Sequence, residues 1–543
     1  MKTYISQVFQ HISLLIALLF ISSQVQAGHD HKERYKVKKI IKGADFHGLA
    51  TVNFSPDGDM YVVDFLSGKI LELDPNTGKV LTRITENTET AEIDFGPDGT
   101  LFWANPFSGE VYKRTLEGEI QLIGTVNTVI DGVAVNDQGR VFTASFSRGQ
   151  DGLWEIDPNG IAPPRLVLEL GGFDAFDFGP DGYLYAPDYL YGTGNIYKIN
   201  VDTGDYSIIA SGYCQPIATK FNSAGELHVM DSACPKIDKV NIETGERTLI
   251  ATLEAGCDNF DFNLDDEIYF ANNANAYIGK VLSDGTSEAI TKPGLSAPGS
   301  ISIRPDGSLF VADGFALRRY DSHTKTLEKT YYANAGMIPP FSMSDDGESL
   351  ILTNNLFGYV QIWDPDLNTA KATYVDFNIP LNAIPFQDEI VVAELGSGSV
   401  VNLSDRSPLI SGLIVPTGLA ANDRDLYVAD YATGTIWKAI EGGIKLESPT
   451  MVTNELTNPE GMTMDLDGNL LVVDVGTRKL IKVNPETGKT SVVAKRLKVG
   501  LDSLSGTPPT WASLSDVTVS DSGVIYTTGD KRNLIYKITL KRK

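Results

Sequence analysis

Short runs of alternating apolar and polar residues, separated by glycine-containing turns, fill most of the chain. The first complete unit begins at Gly48-Leu49-Ala50 and passes through the turn Ser55-Pro56-Asp57-Gly58 to the apolar run at residues 60–64. A loop, a further run at residues 68–73 and the turn Asn76-Thr77-Gly78 follow. Alternation with a period of two is typical of strands, so the unit is predicted to form four strands joined by tight turns and one loop.

Two series of turns recur at equivalent places in successive units. Asp-Gly pairs supply the positive backbone dihedrals that tight hairpins need, and each is predicted to lie between the first and second strands of its unit. These pairs are Asp98-Gly99, Asp181-Gly182, Asp306-Gly307, Asp346-Gly347 and Asp467-Gly468. A second series, such as Asp202-Thr203-Gly204, follows one hairpin later.

The unit recurs about every 41 residues, a spacing in the range of β-propeller blades. About twelve units begin near residues 48, 90, 130, 173, 216, 258, 298, 339, 382, 417, 460 and 515. Twelve blades in one ring would leave a wide pore without a core, whereas six close a compact ring. We therefore predict an all-β fold of two six-bladed β-propellers, at residues 46–293 and 294–543, which meet around residues 290–300.

The last unit lacks a fourth strand after the run at residues 534–540. The segment at residues 35–41 has strand character, and we expect it to complete the last blade and cover an open edge. Residues 28–45 are therefore assigned to an N-terminal tail and closing strand. This closure would join the two ends of the chain, and it leaves open whether the rings are consecutive or interlocked.

Residues 1–27 have the pattern of a secretory signal peptide. An apolar run from Ser13 to Ile21 precedes Val25-Gln26-Ala27, a small-x-small cleavage site. The run is short for a permanent anchor, and no cysteine follows the cleavage point to accept a lipid. We expect cleavage after Ala27 and a periplasmic or secreted protein without a membrane anchor.

Charge and cysteine content narrow the partners and the compartment. The formal net charge of -25 argues against nucleic acids, whose phosphates this surface would repel. Three cysteines occur within one short stretch, and export favours one disulfide. The predicted loops open on one face, so Cys214–Cys234 is the preferred pair, Cys234–Cys257 is the next, and one thiol is left over.

In a propeller, the residues at the start of the innermost strands converge on one mouth of the central channel, where function is expected. The first-ring candidates are His47, Glu92, Asp131, Asp174, Gln215, Asp258 and Asn259. The second-ring candidates are Asn382, Thr417, Glu460 and Asp516. Clustered carboxylates repel one another unless a cation neutralises them, and oxygen ligands suit calcium or magnesium. The alternative is that these residues are simply solvated.

An aspartate also recurs after the second strand of most units. Because it is repeated, we expect it to cap a loop through backbone amides and not to act in catalysis. Its copies are Asp64, Asp188, Asp231, Asp313, Asp430 and Asp474.

The units resemble those of the gluconolactonase and senescence-marker-protein superfamily of six-bladed propellers, and of the related NHL-repeat proteins. The resemblance rests on Ile130-Asp131-Gly132, Asp258-Asn259 and Asn458-Pro459-Glu460-Gly461-Met462. It implies a divalent cation, often calcium, in the channel and the opening of lactones or related esters. The metal ligands it implies are Glu92, Asp174, Asp258 and Asn259, and the catalytic candidates are Asp174, Asp131 and His47.

Three functions stay open from the sequence. The first is a metal-dependent hydrolase or lactonase that uses the first channel. The second is a non-catalytic propeller that binds a small molecule, a polymer or a protein, and the third is a lyase acting through His47. A serine hydrolase is disfavoured because the chain has no Gly-x-Ser-x-Gly motif.

Overall fold

The computed structural model describes residues 34–85, 88–333, 336–502 and 513–541. Within these residues the backbone forms twelve four-stranded antiparallel sheets, as the sequence predicts. The predicted signal peptide and its cleavage after Ala27 lie outside the described residues. No helix in the described part of the chain is long and apolar enough to cross a membrane.

Six sheets form the first ring, and the strand β1 (Tyr35–Lys42) that precedes them belongs to the second ring. Blades 1 to 3 contain β2 (Leu49–Phe54), β3 (Met60–Asp64), β4 (Lys69–Leu73), β5 (Val80–Arg83), β6 (Glu92–Phe95), β7 (Leu101–Asn105), β8 (Glu110–Arg114), β9 (Ile120–Thr125), β10 (Ile130–Val135), β11 (Val141–Ser145), β12 (Leu153–Ile156) and β13 (Arg165–Leu168). Blades 4 to 6 contain β14 (Asp177–Phe178), β15 (Leu184–Pro187), β16 (Ile196–Ile199), β17 (Tyr206–Ala210), β18 (Pro216–Phe221), β19 (Leu227–Asp231), β20 (Lys236–Val240), β21 (Arg247–Thr252), β22 (Cys257–Phe262), β23 (Ile268–Asn272), β24 (Tyr277–Val281) and β25 (Ser287–Ala289).

The second ring follows in the chain. Blades 7 to 9 contain β26 (Pro298–Ile303), β27 (Ser308–Asp313), β28 (Ala316–Asp321), β29 (Leu327–Tyr332), β30 (Ser342–Asp345), β31 (Leu350–Asn354), β32 (Tyr359–Asp364), β33 (Thr369–Tyr374), β34 (Pro380–Phe386), β35 (Glu389–Glu394), β36 (Ser399–Asn402) and β37 (Pro408–Ser411). Blades 10 to 12 contain β38 (Pro416–Ala421), β39 (Leu426–Asp430), β40 (Thr435–Glu441), β41 (Ile444–Thr453), β42 (Pro459–Met464), β43 (Leu470–Asp474), β44 (Lys479–Val483), β45 (Thr490–Lys495), β46 (Val517–Val519), β47 (Ile525–Gly529) and β48 (Leu534–Leu540). Single 3-10 turns lie at Phe65–Ser67 and Asp530–Arg532.

Each ring closes by packing its last blade on its first. In the first ring β2 contacts both β6 and β22, and in the second ring β26 contacts both β30 and β46. Between blades 1 and 6, the apolar side chains of Val52, Val62 and Leu71 pack with those of Tyr269 and Ile278. The hydrophobic core is therefore a set of layers between neighbouring blades, which a four-stranded unit cannot bury alone.

The two series of turns have the backbone that their chemistry predicts. Gly99 has a φ of 85°, and its N–H donates to the carbonyl oxygen of Gly96 at 2.9 Å.

The repeated aspartates cap loops, which confirms the prediction made for them. The carboxylate of Asp231, for example, accepts from the backbone N–H groups of Cys214 and Gln215 at 2.8 and 2.9 Å.

The N-terminal strand completes the last blade, as predicted. β1 pairs antiparallel with β48, and the order of the last sheet is β1, β48, β47, β46. The chain then crosses to the first ring at Gly43, where an added Cβ would lie 2.4 Å from the carbonyl oxygen of Leu295. The strand β1 therefore belongs to the last blade of the second ring, although the whole first ring follows it in the chain. Apart from β1, the two rings are consecutive in the chain.

A buried arginine joins the two rings. Arg318 of β28 is 1% exposed and pairs with Asp313 in its own blade. Its guanidinium also donates to the carbonyl oxygen of Ala274 at 2.6 Å and to Oδ1 of Asn275 at 2.9 Å, both in blade 6. The rings therefore share a desolvated polar contact in addition to the chain crossing.

Candidate functional site

Four acidic side chains stand together at one mouth of the first channel. Glu92 begins β6, Asp131 lies in β10, Asp174 precedes β14 and Asp258 lies in β22. We call these four residues the mouth acids. All of them line one cavity of about 790 Å³. The sequence assigned each of them to this mouth, and the structure brings them together.

Local backbone geometry brings Asp131 and Asp174 close to each other. Gly132 has a φ of 68°, and an added Cβ there would lie 2.2 Å from the carbonyl oxygen of Asp174. The pairing of β10 with β11 also shifts register between Asp131 and Val133. Glycine and the bulge therefore let neighbouring inner strands approach and turn the acids toward the mouth.

Glu92 is the most enclosed of the mouth acids. Nδ2 of Asn259 donates to both of its carboxylate oxygens, at 2.9 and 3.1 Å, and the hydroxyl of Thr51 donates to it as well. Oδ1 of Asn259 accepts from the N–H of Phe260 at 2.7 Å. Glu92 and Asn259 thus satisfy each other, which leaves Asp131, Asp174 and Asp258 to face the cavity.

Burial and mutual repulsion favour protonation of the mouth acids. Burial, followed by the charge of Asp258, raises the pKa of Asp131 to about 7. Burial raises the pKa of Asp258 to about 6. Burial, followed by the charges of Asp131, Asp258 and Glu92, raises the pKa of Asp174 well above its usual value. A positively charged group in the cavity would relieve this repulsion.

Below the mouth, a buried lysine lies among three further aspartates. Lys220 is 5% exposed. Burial disfavours its charge, but the carboxylates of Asp261, Asp177 and Asp94 outweigh this effect and raise its pKa. Each aspartate also joins its blade to the next by accepting from a backbone N–H group, namely those of Phe54, Phe221 and Val135 respectively.

The sequence pattern did not predict this cluster of Lys220 with Asp94, Asp177 and Asp261, which we call the lysine layer. A signal was present, because Asp-Phe recurs at the end of the inner strands of alternate blades, at Asp94-Phe95, Asp177-Phe178 and Asp261-Phe262. What the sequence did not reveal is that Lys220 points to the same axis.

Aromatic side chains from both rings form much of the cavity wall. Beside the mouth acids, Tyr189 stacks on Phe146 with ring centroids 5.8 Å apart. Phe315 of the second ring contacts Phe65 of the first at 6.4 Å and Phe341 at 6.1 Å. All five rings line the cavity. The cavity is therefore lined by both carboxylates and aromatic rings and is shared between the propellers.

Asn273 adds a neutral polar group beside the mouth acids. It is 7% exposed, lines the cavity, and donates from Nδ2 to Asp258 at 2.9 Å. Its Oδ1 is buried and accepts no hydrogen bond from any residue that the structure describes. This oxygen is enclosed by the protein next to Gly48, where an added Cβ would lie 3.0 Å from it, so Asn273 offers the cavity no free acceptor.

His47 does not join the mouth acids, which corrects the prediction that it acts there in catalysis. Its Nε2 lies 2.9 Å from the backbone carbonyl oxygen of Asp530 in the second ring. Its backbone N–H donates to Asp64. The imidazole is turned toward the second ring because the chain crosses between the rings just before this residue.

The preferred disulfide is confirmed. Cys214 and Cys234 are bonded, and Cys257 is a buried free thiol. The bridge joins the loop before the inner strand of blade 5 to the loop after its second strand.

The residues implied as metal ligands do not form a metal site as they stand. In the parts of the chain that the structure describes, three ligand atoms of His, Cys, Asp or Glu lie within 4.8 Å of one another only in Cys214, Asp231 and Cys234. Two of these sulfurs are already bonded to each other. Glu92 and Asn259 are occupied by their mutual hydrogen bonds, so the set Glu92, Asp174, Asp258 and Asn259 does not fit a cation without rearrangement.

The second channel has its own buried polar residues. Asn382 donates to Ser342 at 3.1 Å, and Glu460 accepts from the N–H of Ser515 at 2.7 Å. Burial raises the pKa of Asp516 to about 7. None of these residues lines the 790 Å³ cavity that holds the mouth acids.

Together, the two closed rings define a double six-bladed β-propeller. Neither a protein-family model nor a curated protein matches the chain. Similar solved structures include a streptogramin B lyase, at 18% identity over 51% of this chain and 94% of that one, with a TM-score of 0.38. A gluconolactonase from Xanthomonas campestris is 12% identical over 46% of this chain and 90% of that one, with a TM-score of 0.38.

A third similar structure extends over both rings. It is the extracellular domain of a provisionally assigned one-component system from B. thetaiotaomicron. It is 12% identical over 93% of this chain and 82% of that one, with a TM-score of 0.33. These likenesses concern the fold alone.

Proposed function

We propose that this protein is an exported ligand-binding propeller that takes a small molecule into the cavity between its rings. The observation that carries the proposal is the lining of the 790 Å³ cavity, which combines the mouth acids with aromatic rings from both propellers. Its volume is in the range of small-molecule sites, and a largely apolar wall with a few polar groups is typical of such sites. The disulfide supports export, because such bonds persist in oxidising compartments.

A thermal-shift screen with a chemically mixed set of small molecules tests this proposal, with isothermal titration calorimetry for each hit. We expect hits whose affinity falls at least about tenfold in Asp174→Asn, the change that losing a charge-assisted contact of about 1.4 kcal/mol produces. Asp516→Asn in the second channel is the matched control and should bind like the wild type. Hits that bind both variants equally, or a screen without hits, would refute the proposed site.

A calcium-dependent hydrolase or lactonase is the second candidate. It is favoured by the three carboxylates of Asp131, Asp174 and Asp258, whose mutual repulsion a divalent cation would relieve. Elemental analysis, calcium titration and a lactone panel with and without chelator distinguish it from simple binding. Turnover that chelation abolishes would replace the first proposal, whereas ligand binding without turnover and without calcium would exclude the second.

A further inference from the structure

The charges that face the cavity are mostly negative. Besides the mouth acids, Asp376 of the second ring lines it. Arg148 lies at the rim, where it donates to the carbonyl oxygen of Leu190 at 2.7 Å and covers the ring of Tyr191 at 5.3 Å. Lys220 lies below the mouth and is surrounded by its own aspartates. When the mouth acids are ionised, a bound ligand therefore meets a negative field beside them.

The aromatic rings that line the cavity favour an organic cation over a divalent metal ion. A divalent metal prefers several converging oxygens, and the described residues do not offer three carboxylate atoms close together here. An organic cation instead gains from aromatic faces. Tyr189 and Phe146 supply such faces next to Asp131, Asp174 and Asp258.

The carboxylates of the mouth narrow the choice further. Asp131, Asp174 and Asp258 all line the cavity, and carboxylate oxygens accept hydrogen bonds. A protonated primary or secondary amine carries N–H donors as well as charge, whereas a quaternary ammonium carries no N–H. One ammonium group could therefore donate to more than one of these carboxylates.

We infer that the cavity binds a protonated organic amine with an aromatic or similarly apolar body. The ammonium group would lie among Asp131, Asp174 and Asp258, and the apolar body would extend toward Phe315 and Phe341. This inference rests on the proposed ligand-binding function and names its ligand class.

Calorimetry with four probes tests the inference on the full mature chain. They are 2-phenylethylammonium, its neutral analogue 2-phenylethanol, propylammonium and calcium chloride. We expect 2-phenylethylammonium to bind at least about tenfold more tightly than either 2-phenylethanol or propylammonium, as one charge contact and one aromatic contact would each provide.

Point variants of the cavity residues test which side chains contact the probes. Asp174→Asn should remove the preference for the charged probe. Asp376→Asn, on the second ring, is the control for a general loss of negative charge and should change affinity less than Asp174→Asn.

Several results would overturn the inference. Equal binding of the alcohol and the amine would exclude charge recognition, and calcium that binds and displaces the amine would identify a metal site. Hits in the mixed screen that are all neutral, with no binding of 2-phenylethylammonium, would overturn the amine class and leave the proposed binding function standing. Failure of both the screen and the probes would remove both.

Discussion

Asn259 donates from one amide nitrogen to both carboxylate oxygens of Glu92, at 2.9 and 3.1 Å. The bonds reach from blade 6 to blade 2 past the hydroxyl of Thr51, which donates to the same carboxylate. Glu92 therefore has a different role from the other three mouth acids. It ties three blades together, while Asp131, Asp174 and Asp258 stay available to a ligand.

Asp131→Asn is expected to stabilise the protein at alkaline pH. The pKa of Asp131 is raised to about 7 by burial and by Asp258, so the folded state holds a proton that the unfolded chain releases above pH about 4. When the pKa of an acid is higher in the folded than in the unfolded state, the free energy of unfolding falls as pH rises from about 4 to about 7 and then stays low. Asparagine does not titrate and avoids this loss.

Calorimetric melting at pH 5 and pH 8 measures the effect. We expect the variant to exceed the wild type by about 1 to 3 kcal/mol at pH 8 and by less at pH 5. Asp137→Asn, an exposed residue of the same blade, should leave the melting temperature unchanged at both values. An Asp131→Asn variant less stable than the wild type at pH 8 would contradict the electrostatic account.

Lys220→Met is expected to destabilise the first ring in a pH-dependent way. Removal of the ammonium leaves the buried carboxylates of Asp94, Asp177 and Asp261 without their cation, at a cost of about 3 to 5 kcal/mol. The pKa values of Asp94 and Asp261 already stand at about 7 and about 6 because of burial. Acidification protonates both groups, so the cost should shrink from pH 8 to pH 5.

Denaturant titration at the two pH values checks this prediction. Lys239→Met removes a more exposed lysine of the same blade, which pairs with Glu226 at 3.0 Å, and should cost less than about 1 kcal/mol. An equal loss for Lys220→Met at both pH values would mean that packing and not charge is responsible.

Local signals account for what the sequence predicted well. Asp-Gly turns and alternating strands define each four-stranded sheet within about 41 residues, and repetition extends the assignment to the whole chain. The same repeat predicted the positions of the mouth acids, because the start of every inner strand faces the channel. The pairing of Cys214 with Cys234 followed in the same way, from loops that open on one face.

Contacts between distant parts of the chain were beyond the sequence. The cavity depends on Phe315 and Phe341 facing the first ring, and nothing in their own blades indicates that orientation. His47 has a mouth position by register, yet its ring bonds to Asp530, which lies far away in sequence. The role of Lys220 could not be predicted from the sequence, because no lysine recurs at the equivalent position of the other inner strands.

Arg318→Ala should weaken the junction between the rings. The variant leaves Asp313 buried without its cation and deprives Ala274 and Asn275 of their donor, which should cost about 3 to 5 kcal/mol. Arg319→Ala, on the neighbouring position of the same strand, removes a partly exposed arginine and should cost less than about 1 kcal/mol. Calorimetric unfolding compares the two, and equal losses would contradict a special role for Arg318.

Reduction of the Cys214–Cys234 bridge should destabilise the protein by about 3 kcal/mol, the value expected for a closed loop of about 20 residues. Cys214→Ser should show the same loss without reductant and no further loss with it. Cys257→Ala serves as the control, because this thiol is free and the variant should keep its sensitivity to reductant. A Cys257→Ala protein that no longer responds to reductant would refute the assigned pairing.

Removal of residues 1–42 should open the last blade and promote association. This truncation deletes β1, which leaves β48 as an unpaired edge, and exposed edge strands pair readily with other chains. Removal of residues 1–33 keeps β1 and is the matched control. Size-exclusion chromatography should show a monomer-like profile for the control and larger species for the longer truncation, with a lower melting temperature for the second ring. Restored behaviour on adding a synthetic peptide of residues 34–44 would support strand closure, and identical profiles for both truncations would show that β1 is dispensable.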